Sequence, residues 1–197
     1  ARYRPRDVPV RWDLSYLGTY SPDRQPTLER LLLEPARRNP DLRFVVAGPQ
    51  YPSDIAWPEN VERIDHLPPD EHAEFYCSSR FTLNVTRAEM IAAGWSPSVR
   101  LFEAGACATP IISDKWKGIE SVFKPGEEIV LADGAEEVLA ALRGSARAMG
   151  RAARGQVMAH HSAQKRAEQF EQDLQDARAS GVETLSSSRK VAQHEWS

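Results

Sequence analysis

Short apolar runs alternate with longer amphipathic stretches along the chain. One run, residues 42–47, contains Val45 and Val46 and ends abruptly at Gly48-Pro49, as a buried strand of a parallel sheet does. Most of the other runs also end in turn-forming residues. The pattern predicts strands at 14–17, 42–47, 61–64, 80–85, 110–113 and 128–131.

Between these runs the apolar residues recur at helical spacing. In residues 25–38 they fall at Leu28, Leu31, Leu32 and Ala36. Ser96-Pro97 has the sequence of a helix start, a hydroxyl N-cap followed by proline at the first helical position. We therefore predict an irregular loop over 86–96. Further helices are predicted at 70–78, 97–108, 135–142, from 145 onward, and at 164–178.

The repeated order of strand and helix predicts an α/β fold, a Rossmann-like doubly wound parallel sheet followed by C-terminal helices. We expect a linker or arm over 1–12, one domain over 13–178 and a mobile tail over 179–197. In such sheets, ligands bind outside the carboxyl ends of the strands. Functional residues are therefore sought in the loops that follow each strand.

Composition narrows the class of protein. The 197 residues carry a net charge of −3 and are 41% apolar, which fits a globular domain and argues against a nucleic-acid binder. No apolar run approaches the roughly 20 residues of a transmembrane helix. The basic start, residues 1–6, lacks the apolar stretch of a signal peptide. We expect a cytoplasmic protein in which Cys77 and Cys107 are buried, reduced thiols.

Several motifs of nucleotide and hydrolase chemistry are missing from the sequence. There is no Gly-x-Gly-x-x-Gly, no Gly-x-x-x-x-Gly-Lys and no Gly-x-Ser-x-Gly. There is also no Asp-x-Asp pair to hold a metal-bound diphosphate. His160 and His161 are adjacent, so they face different ways on a helix and make a poor metal site. We expect no metal site and no tightly bound cofactor.

The helix predicted over 97–108 carries the clearest sign of chemistry. Its first N–H groups, near Ser98, Val99 and Arg100, suit a phosphate. Glu103, one turn deeper, could accept hydrogen bonds from two vicinal hydroxyls, such as those of a ribose. It could equally pair with Arg100, three residues earlier. Likewise, Gly18 either ends a strand or lets a ligand approach the backbone.

Four segments in order resemble the donor-binding half of GT-B glycosyltransferases, and most closely the CgeB-like (spore-maturation type) branch. They are 13–24 (DLSYLGTYSPDR), 83–86 (LNVT), 94–100 (GWSPSVR) and 100–128, which begins RLFEAGACATPIISD. The resemblance covers about residues 13–142. It implies one half of a GT-B fold that binds a nucleoside-diphosphate sugar, usually UDP-linked, without a metal, for transfer of a hexosyl group to an unknown acceptor.

The resemblance also implies roles for particular residues. Glu103 matches the glutamate that holds the ribose hydroxyls, while Ser98, Val99 and Arg100 match the helix start that faces the phosphates. The first loop, which faces the diphosphate, corresponds to Gly18, Thr19 and Arg24. His66 and Leu67 lie where backbone groups meet the base. Many relatives carry a second Glu eight positions before Glu103, but here that position is Trp95.

A GT-B enzyme has two such domains, and this sequence matches the second. The resemblance therefore implies that the acceptor site and any catalytic base belong to an N-terminal acceptor domain. The face left open would favour self-association. A non-catalytic Rossmann-like interaction module and a sugar-nucleotide epimerase-like half are the alternatives. Whether Glu103 and Arg24 converge on one open cleft distinguishes the interaction module from the glycosyltransferase half.

Overall fold

The computed structural model describes the backbone of residues 2–192 and the side chains of residues 2–178. Within that range, six strands form one sheet. They are β1 (Trp12–Leu17), β2 (Phe44–Ala47), β3 (Val61–Ile64), β4 (Ser79–Asn84), β5 (Ile111–Ser113) and β6 (Val130–Leu131). Every strand predicted from the sequence is present, with its bounds moved by a few residues at most. β1 begins earlier than expected, because Arg11 and Trp12 N–H both donate to the Ser78 carbonyl.

The strand order is β3-β2-β1-β4-β5-β6 and all neighbours are parallel. This is the Rossmann-like doubly wound order, so the predicted fold class is confirmed. The order reverses at β1, which pairs with β2 on one side and with β4 on the other. The chain leaves these strands in opposite directions there, and a crevice opens above their carboxyl ends.

Helices lie between most of the strands, whereas β2 is joined to β3 by a loop, residues 48–60. Residues 25–38 form one continuous helix, α1 (Gln25–Leu28) and α2 (Glu34–Arg38) with a π-helical turn between them. The remaining helices are α3 (His72–Cys77), α4 (Ala88–Ala93), α5 (Val99–Ala106), α6 (Ala135–Arg143), α7 (Arg147–Gln156) and α8 (Ala163–Ala192).

Two predictions around residues 86–98 are wrong. α4 lies inside the stretch expected to be an irregular loop, where Asp23 Oδ2 accepts the first helical N–H, that of Ala88, at 2.9 Å. Ser96-Pro97 does not start α5, which begins at Val99 with Ser98 as N-cap. The reason is that Trp95 is in the left-handed region (φ +46°) and its N–H bonds the Lys117 carbonyl at 2.9 Å, so the chain turns there.

Two apolar clusters hold the helices to the sheet. Phe44 and Val46 of β2 pack in one cluster, and Val45 and Ala47 pack in the other. Successive side chains of a strand point to opposite faces, so this division shows that both faces of β2 are covered. All four side chains are essentially inaccessible to solvent, as the abrupt apolar run 42–47 predicts.

The chain divides into two compact units, Ala1–Met158 and Ala159–Ser197. The second contains α8, which extends the helix predicted over 164–178 as far as Ala192, into the stretch 179–197 expected to be a tail. Residues 193–197 lie outside the described part of the chain. Among the described residues, no helix is long and apolar enough to cross a membrane.

Candidate functional site

A cavity of about 340 Å³ opens at the carboxyl ends of β1, β2 and β3, where α5 also reaches the sheet. Its walls are formed by the loops after the three strands, together with side chains from α3 and α5. Six of the nine predicted site residues line it, namely Gly18, Thr19, His66, Leu67, Arg100 and Glu103. The structure therefore brings together, at the expected edge of the sheet, residues that are up to 85 positions apart in sequence.

Two glycines let the loops after β1 and β2 pass each other. Gly48 has φ +139°, and a Cβ placed there would lie 2.1 Å from the Gly18 carbonyl oxygen. A Cβ at Gly18 would lie 2.7 Å from Tyr16 Oη and 2.9 Å from Arg100 Nη2. Both positions expose backbone to the cavity, which favours the functional interpretation of Gly18. The sequence identifies Gly48 as the end of a strand, in Gly48-Pro49, but not as a residue of the site.

Glu103 projects from α5 to the wall of the cavity, and its partner is a tyrosine. The fully buried Tyr76 on α3 donates from Oη to Glu103 Oε2 at 3.1 Å. Burial, followed by the charge of Glu103, raises the pKa of Tyr76 well above its ordinary value, so the hydroxyl keeps its proton and remains a donor. This contact fixes the carboxylate toward the cavity.

The predicted alternative, a Glu103–Arg100 ion pair, is wrong. No ion pair joins these two described residues. Arg100 Nη1 instead donates to Ser98 Oγ at 3.2 Å, and its guanidinium lies 5.6 Å from the centre of the Tyr16 ring. The cation therefore stays on the cavity wall without neutralising the carboxylate.

Two further groups near Glu103 were missed from the sequence. Burial and a hydrogen bond to Glu103 raise the pKa of Tyr3, so this residue of the arm 1–12 also reaches the site. His72 lines the cavity, and its Nδ1 lies 3.5 Å from Tyr3 Oη. Its Nε2 lies 3.3 Å from the Leu67 carbonyl oxygen. Neither residue belongs to a motif, and only the fold brings them together.

Three predicted site residues do not line the cavity. Arg24 is 5% exposed and donates to the Thr19 carbonyl, while its buried Nε has no partner among the described residues. Ser98 and Val99 stand at the start of α5, where Val99 is 65% exposed. Glu103 and Arg24 thus occupy the same edge of the sheet, but only Glu103 faces the cavity.

A buried polar network ties the carboxyl ends of β4 and β5 together. Thr86 N–H donates to both carboxylate oxygens of Asp114, at 3.0 and 3.1 Å, and Thr86 Oγ1 donates to Oδ1 at 2.8 Å. Asn84 Nδ2 donates to Ser113 Oγ at 3.0 Å. Burial raises the pKa of Asp114 above its ordinary value. The network fixes the strand ends from which the next two loops leave.

No cluster of three or more His, Cys, Asp or Glu side chains suited to a metal ion occurs in the part of the chain that the structure describes. His160 and His161 end a π-helical turn, with ring centroids 6.4 Å apart.

The site lies on a fold that is found in known glycosyltransferases. The family model described as "Glycosyl transferase-like" matches residues 24–172, and the chain belongs to this family. The parallel sheet with its flanking helices is one Rossmann-like half of the GT-B fold, as expected.

The curated relatives include D-inositol 3-phosphate glycosyltransferases from Mycobacterium sp. strains KMS and JLS. Each is 29% identical over an alignment of 144 positions, with a coverage of 66% of this chain and 30% of the relative. The chain therefore spans about a third of the length of the relatives that it matches.

Solved structures with the same fold include sucrose-phosphate synthase from Thermosynechococcus elongatus, with a TM-score of 0.68 and 17% identity, over 91% of this chain and 50% of that one. A C-terminal domain of a glycosyl transferase group 1 family protein (LpcC) from Francisella tularensis matches with a TM-score of 0.64 and 14% identity, over 82% of this chain and 96% of that one. Anabaena HepE in complex with UDP-glucose matches with a TM-score of 0.65 and 11% identity, over 83% and 48%.

Proposed function

We propose that this chain binds the donor of a GT-B glycosyltransferase, a nucleoside-diphosphate sugar, and that the nucleotide is UDP. The observation that carries the proposal is the placement of Glu103 on the wall of the cavity at the switch point of the sheet, with its carboxylate held by Tyr76. Family membership supports the same activity, and the fold is shared with HepE, whose structures contain UDP-glucose or UDP and glucose.

Each part of the donor has a partner in this proposal. Glu103 accepts hydrogen bonds from the two ribose hydroxyls, and the backbone around His66 and Leu67 meets the base. The backbone of Gly18 and Thr19 approaches the diphosphate. Gly18 and Gly48 have no side chain that would fill the space between this backbone and the ligand. Arg24 holds this loop by its bond to the Thr19 carbonyl.

The diphosphate meets positive charge from two further sources. Arg100 supplies a guanidinium on the cavity wall. The first N–H groups of α5, at Ser98 and Val99, supply the helix-terminal dipole. During transfer of a hexosyl group, negative charge develops on the leaving diphosphate, and groups fixed in advance stabilise it most effectively. We therefore propose metal-independent transfer, in which these groups supply the neutralising charge.

The rest of the reaction is assigned to a partner domain. We propose that an N-terminal acceptor domain faces the carboxyl edge of the sheet and provides the acceptor site and any catalytic base. The shares of its relatives that this chain covers, 30% of the mycobacterial enzymes and half of sucrose-phosphate synthase, support this division. The CgeB-like branch, a cytoplasmic location and self-association through this face remain predictions. Family membership favours the glycosyltransferase over the interaction module and the epimerase half.

Nucleotide binding by the chain itself tests the proposal. We expect UDP, and not GDP, ADP or dTDP, to raise the melting temperature in the presence of EDTA. A ligand at 100 times its Kd contributes about 2.7 kcal/mol, which corresponds to a rise of about 5–10 °C for a domain of this size. Calorimetric titration then gives the Kd.

Glu103→Gln keeps the shape of the side chain and removes its charge. We expect UDP to bind roughly 10- to 150-fold more weakly, since a hydrogen bond to a charged group contributes about 1.5–3 kcal/mol. Glu120→Gln, at an exposed position in the turn after β5, is the matched control and should bind UDP like the wild type. Equal affinity in the Glu103 variant, or no binding of any of the four nucleotides, would contradict the proposal.

A further inference from the structure

A second cavity, of about 790 Å³, lies at the opposite edge of the sheet, where β4 and β5 begin. Both cysteines of the chain line it. Cys77 is the last residue of α3, and Cys107 caps the end of α5. Two helices that run toward the same edge therefore each end in a thiol.

The two thiols are neighbours. Cys77 Sγ lies 3.8 Å from the Cys107 carbonyl oxygen, and each thiol shifts the pKa of the other. Their exposure differs, since Cys107 is 3% exposed whereas Cys77 is half-buried and reaches the cavity. A reagent in the cavity thus meets Cys77 first, because the neighbouring Cys107 is almost fully buried.

The surroundings favour a thiolate at Cys77. The neighbouring Cys107 side chain lowers the pKa of Cys77 to about 7, with smaller contributions from the Arg6 N–H, 3.3 Å from Sγ, and from the Arg6 charge. Burial and the nearby carboxylate of Glu74 oppose this shift. The pKa of Cys107 is raised, so Cys107 keeps its proton.

The wall of the cavity is predominantly basic. Asp7 is the one acidic residue among those that line it. The wall contains five arginines, Arg6, Arg80, Arg143, Arg147 and Arg151. Cysteine oxidation is site-selective, and it favours an accessible thiol in a basic environment with a second thiol nearby. The half-buried Cys77, beside Cys107 in this cavity, has these properties.

We propose that Cys77 and Cys107 are a modification site, a thiol pair that a hydroperoxide converts into an intramolecular disulfide. The Cys77 thiolate attacks one peroxide oxygen, the O–O bond breaks, and water leaves after one protonation, which gives a sulfenic acid. The Cys107 sulfur then attacks the Cys77 sulfur, the S–O bond breaks, and a second water leaves. In total, two thiols and one hydrogen peroxide give one disulfide and two waters.

The bond would join the ends of the helices that carry the Tyr76–Glu103 contact. Cys77 directly follows Tyr76, whose carbonyl accepts from Thr109 Oγ1 at 2.9 Å. The Cys107 N–H donates to the Glu103 carbonyl at 3.2 Å. The proposed modification therefore lies one residue from Tyr76 and four from Glu103. It stands on the geometry of the thiols and does not depend on the proposed nucleotide site.

Peptide mapping of the wild-type chain after treatment with hydrogen peroxide and alkylation of the remaining thiols is the test. Trypsin places the cysteines in separate peptides, 64–80 and 101–115. We expect these two peptides to be linked, with a monomeric chain about 2 Da lighter than the reduced one. Two alkylated cysteines after peroxide treatment, or a link formed only between two chains, would overturn the proposal.

Single serine variants then separate the two roles. Cys107→Ser should leave Cys77 as a sulfenic acid that dimedone traps, because the resolving thiol is gone. Cys77→Ser should leave Cys107 unmodified, because that side chain is buried. Dimedone adducts on Cys107 in place of Cys77 would contradict the assigned order. The wild-type mapping decides the disulfide itself even where a variant fails to fold.

Discussion

The two edges of the sheet carry cavities that differ in size, charge and chemistry. The one at the carboxyl edge is about 340 Å³ and is formed by crossing loops, two glycines and one carboxylate. The one at the amino edge is about 790 Å³ and contains five arginines and both thiols. The smaller cavity is the candidate donor site, because it lies at the switch point of the sheet and has backbone open to a ligand. Position and chemistry therefore identify the candidate donor site, although it is the smaller of these two cavities.

Gly48→Ala should have the largest effect on stability, because its side chain would collide with the loop after β1 at the carboxyl edge of the sheet. Its Cβ would lie 2.1 Å from a backbone carbonyl, and alanine would be held at φ +139°. We expect a loss of roughly 3 kcal/mol in the free energy of unfolding, measured by urea denaturation, from strain and overpacking together. Gly155→Ala, where nothing lies within 4 Å in α7, should instead gain about 0.5–1 kcal/mol. Equal stability of the two variants would show that the loops do not need the glycine.

Tyr76→Phe tests the internal support of the carboxyl edge. The variant leaves Glu103 Oε2 without its donor, and we expect a loss of about 2 kcal/mol, since the acceptor is charged. Tyr51→Phe is the control, because the Tyr51 hydroxyl donates to a neutral acceptor, the Gly18 carbonyl, at 3.1 Å. Its loss should be about 1 kcal/mol. Urea denaturation that ranks the two variants in the reverse order would mean that Glu103 does not depend on this contact.

Gly150→Ala disrupts the close packing of α7 against the backbone of Ala108 at the amino edge of the sheet. Its Cβ would lie 2.1 Å from the Ala108 carbonyl oxygen, although the helical backbone itself favours alanine. We expect a net loss of about 1–2 kcal/mol. The affinity of the folded protein for UDP should stay unchanged, because Gly150 lies away from the candidate site. A parallel loss of UDP affinity, measured by calorimetry, would break the proposed separation of the two edges.

Asp114→Asn gives the smallest effect, a change in pH dependence. Because burial raises the folded-state pKa of Asp114, the folded chain binds more protons than the unfolded chain between the two pKa values. The contribution of Asp114 to stability is therefore greatest below its ordinary pKa and falls as the pH rises through the raised one. Unfolding curves from pH 3 to 8 should show this decline in the wild type and not in the variant. Parallel profiles would contradict it.

The central strands β1, β2, β4 and β5 are predictable from the sequence because they are buried on both faces. The run 42–47 reads as a strand from its apolar side chains and its Gly-Pro end alone, and β2 is found there. The start of α5 could not be placed in the same way. Ser96-Pro97 has the local chemistry of a helix start, but the tertiary bond from Trp95 N–H to Lys117 turns the chain before α5 begins.

The residues of the candidate site are predictable from the sequence only where local signals mark them. Glu103 is a candidate because it lies about one turn inside a predicted helix and because its segment resembles that of GT-B glycosyltransferases, which is local information. Its partner Tyr76 is 27 residues away, and Tyr3 is 100 residues away. Only the assembled fold shows that the Tyr76 hydroxyl, and not Arg100, bonds the carboxylate. Arg24 shows the converse, because a cation in the expected loop is turned inward onto a backbone carbonyl.

The central pairing of β1 with β4 has a consequence for how the chain acquires its shape. β1, β2 and β3 follow one another along the chain and pair as neighbours, and so do β4, β5 and β6. The register that joins the two sets aligns Trp12 with Ser79, which closes a loop of 67 residues. Closing so long a loop is slow relative to local pairing. The candidate site combines Gly18, which follows β1, with Glu103, which follows β4, so refolding should restore the proposed nucleotide binding only in the step that joins the two sets of strands.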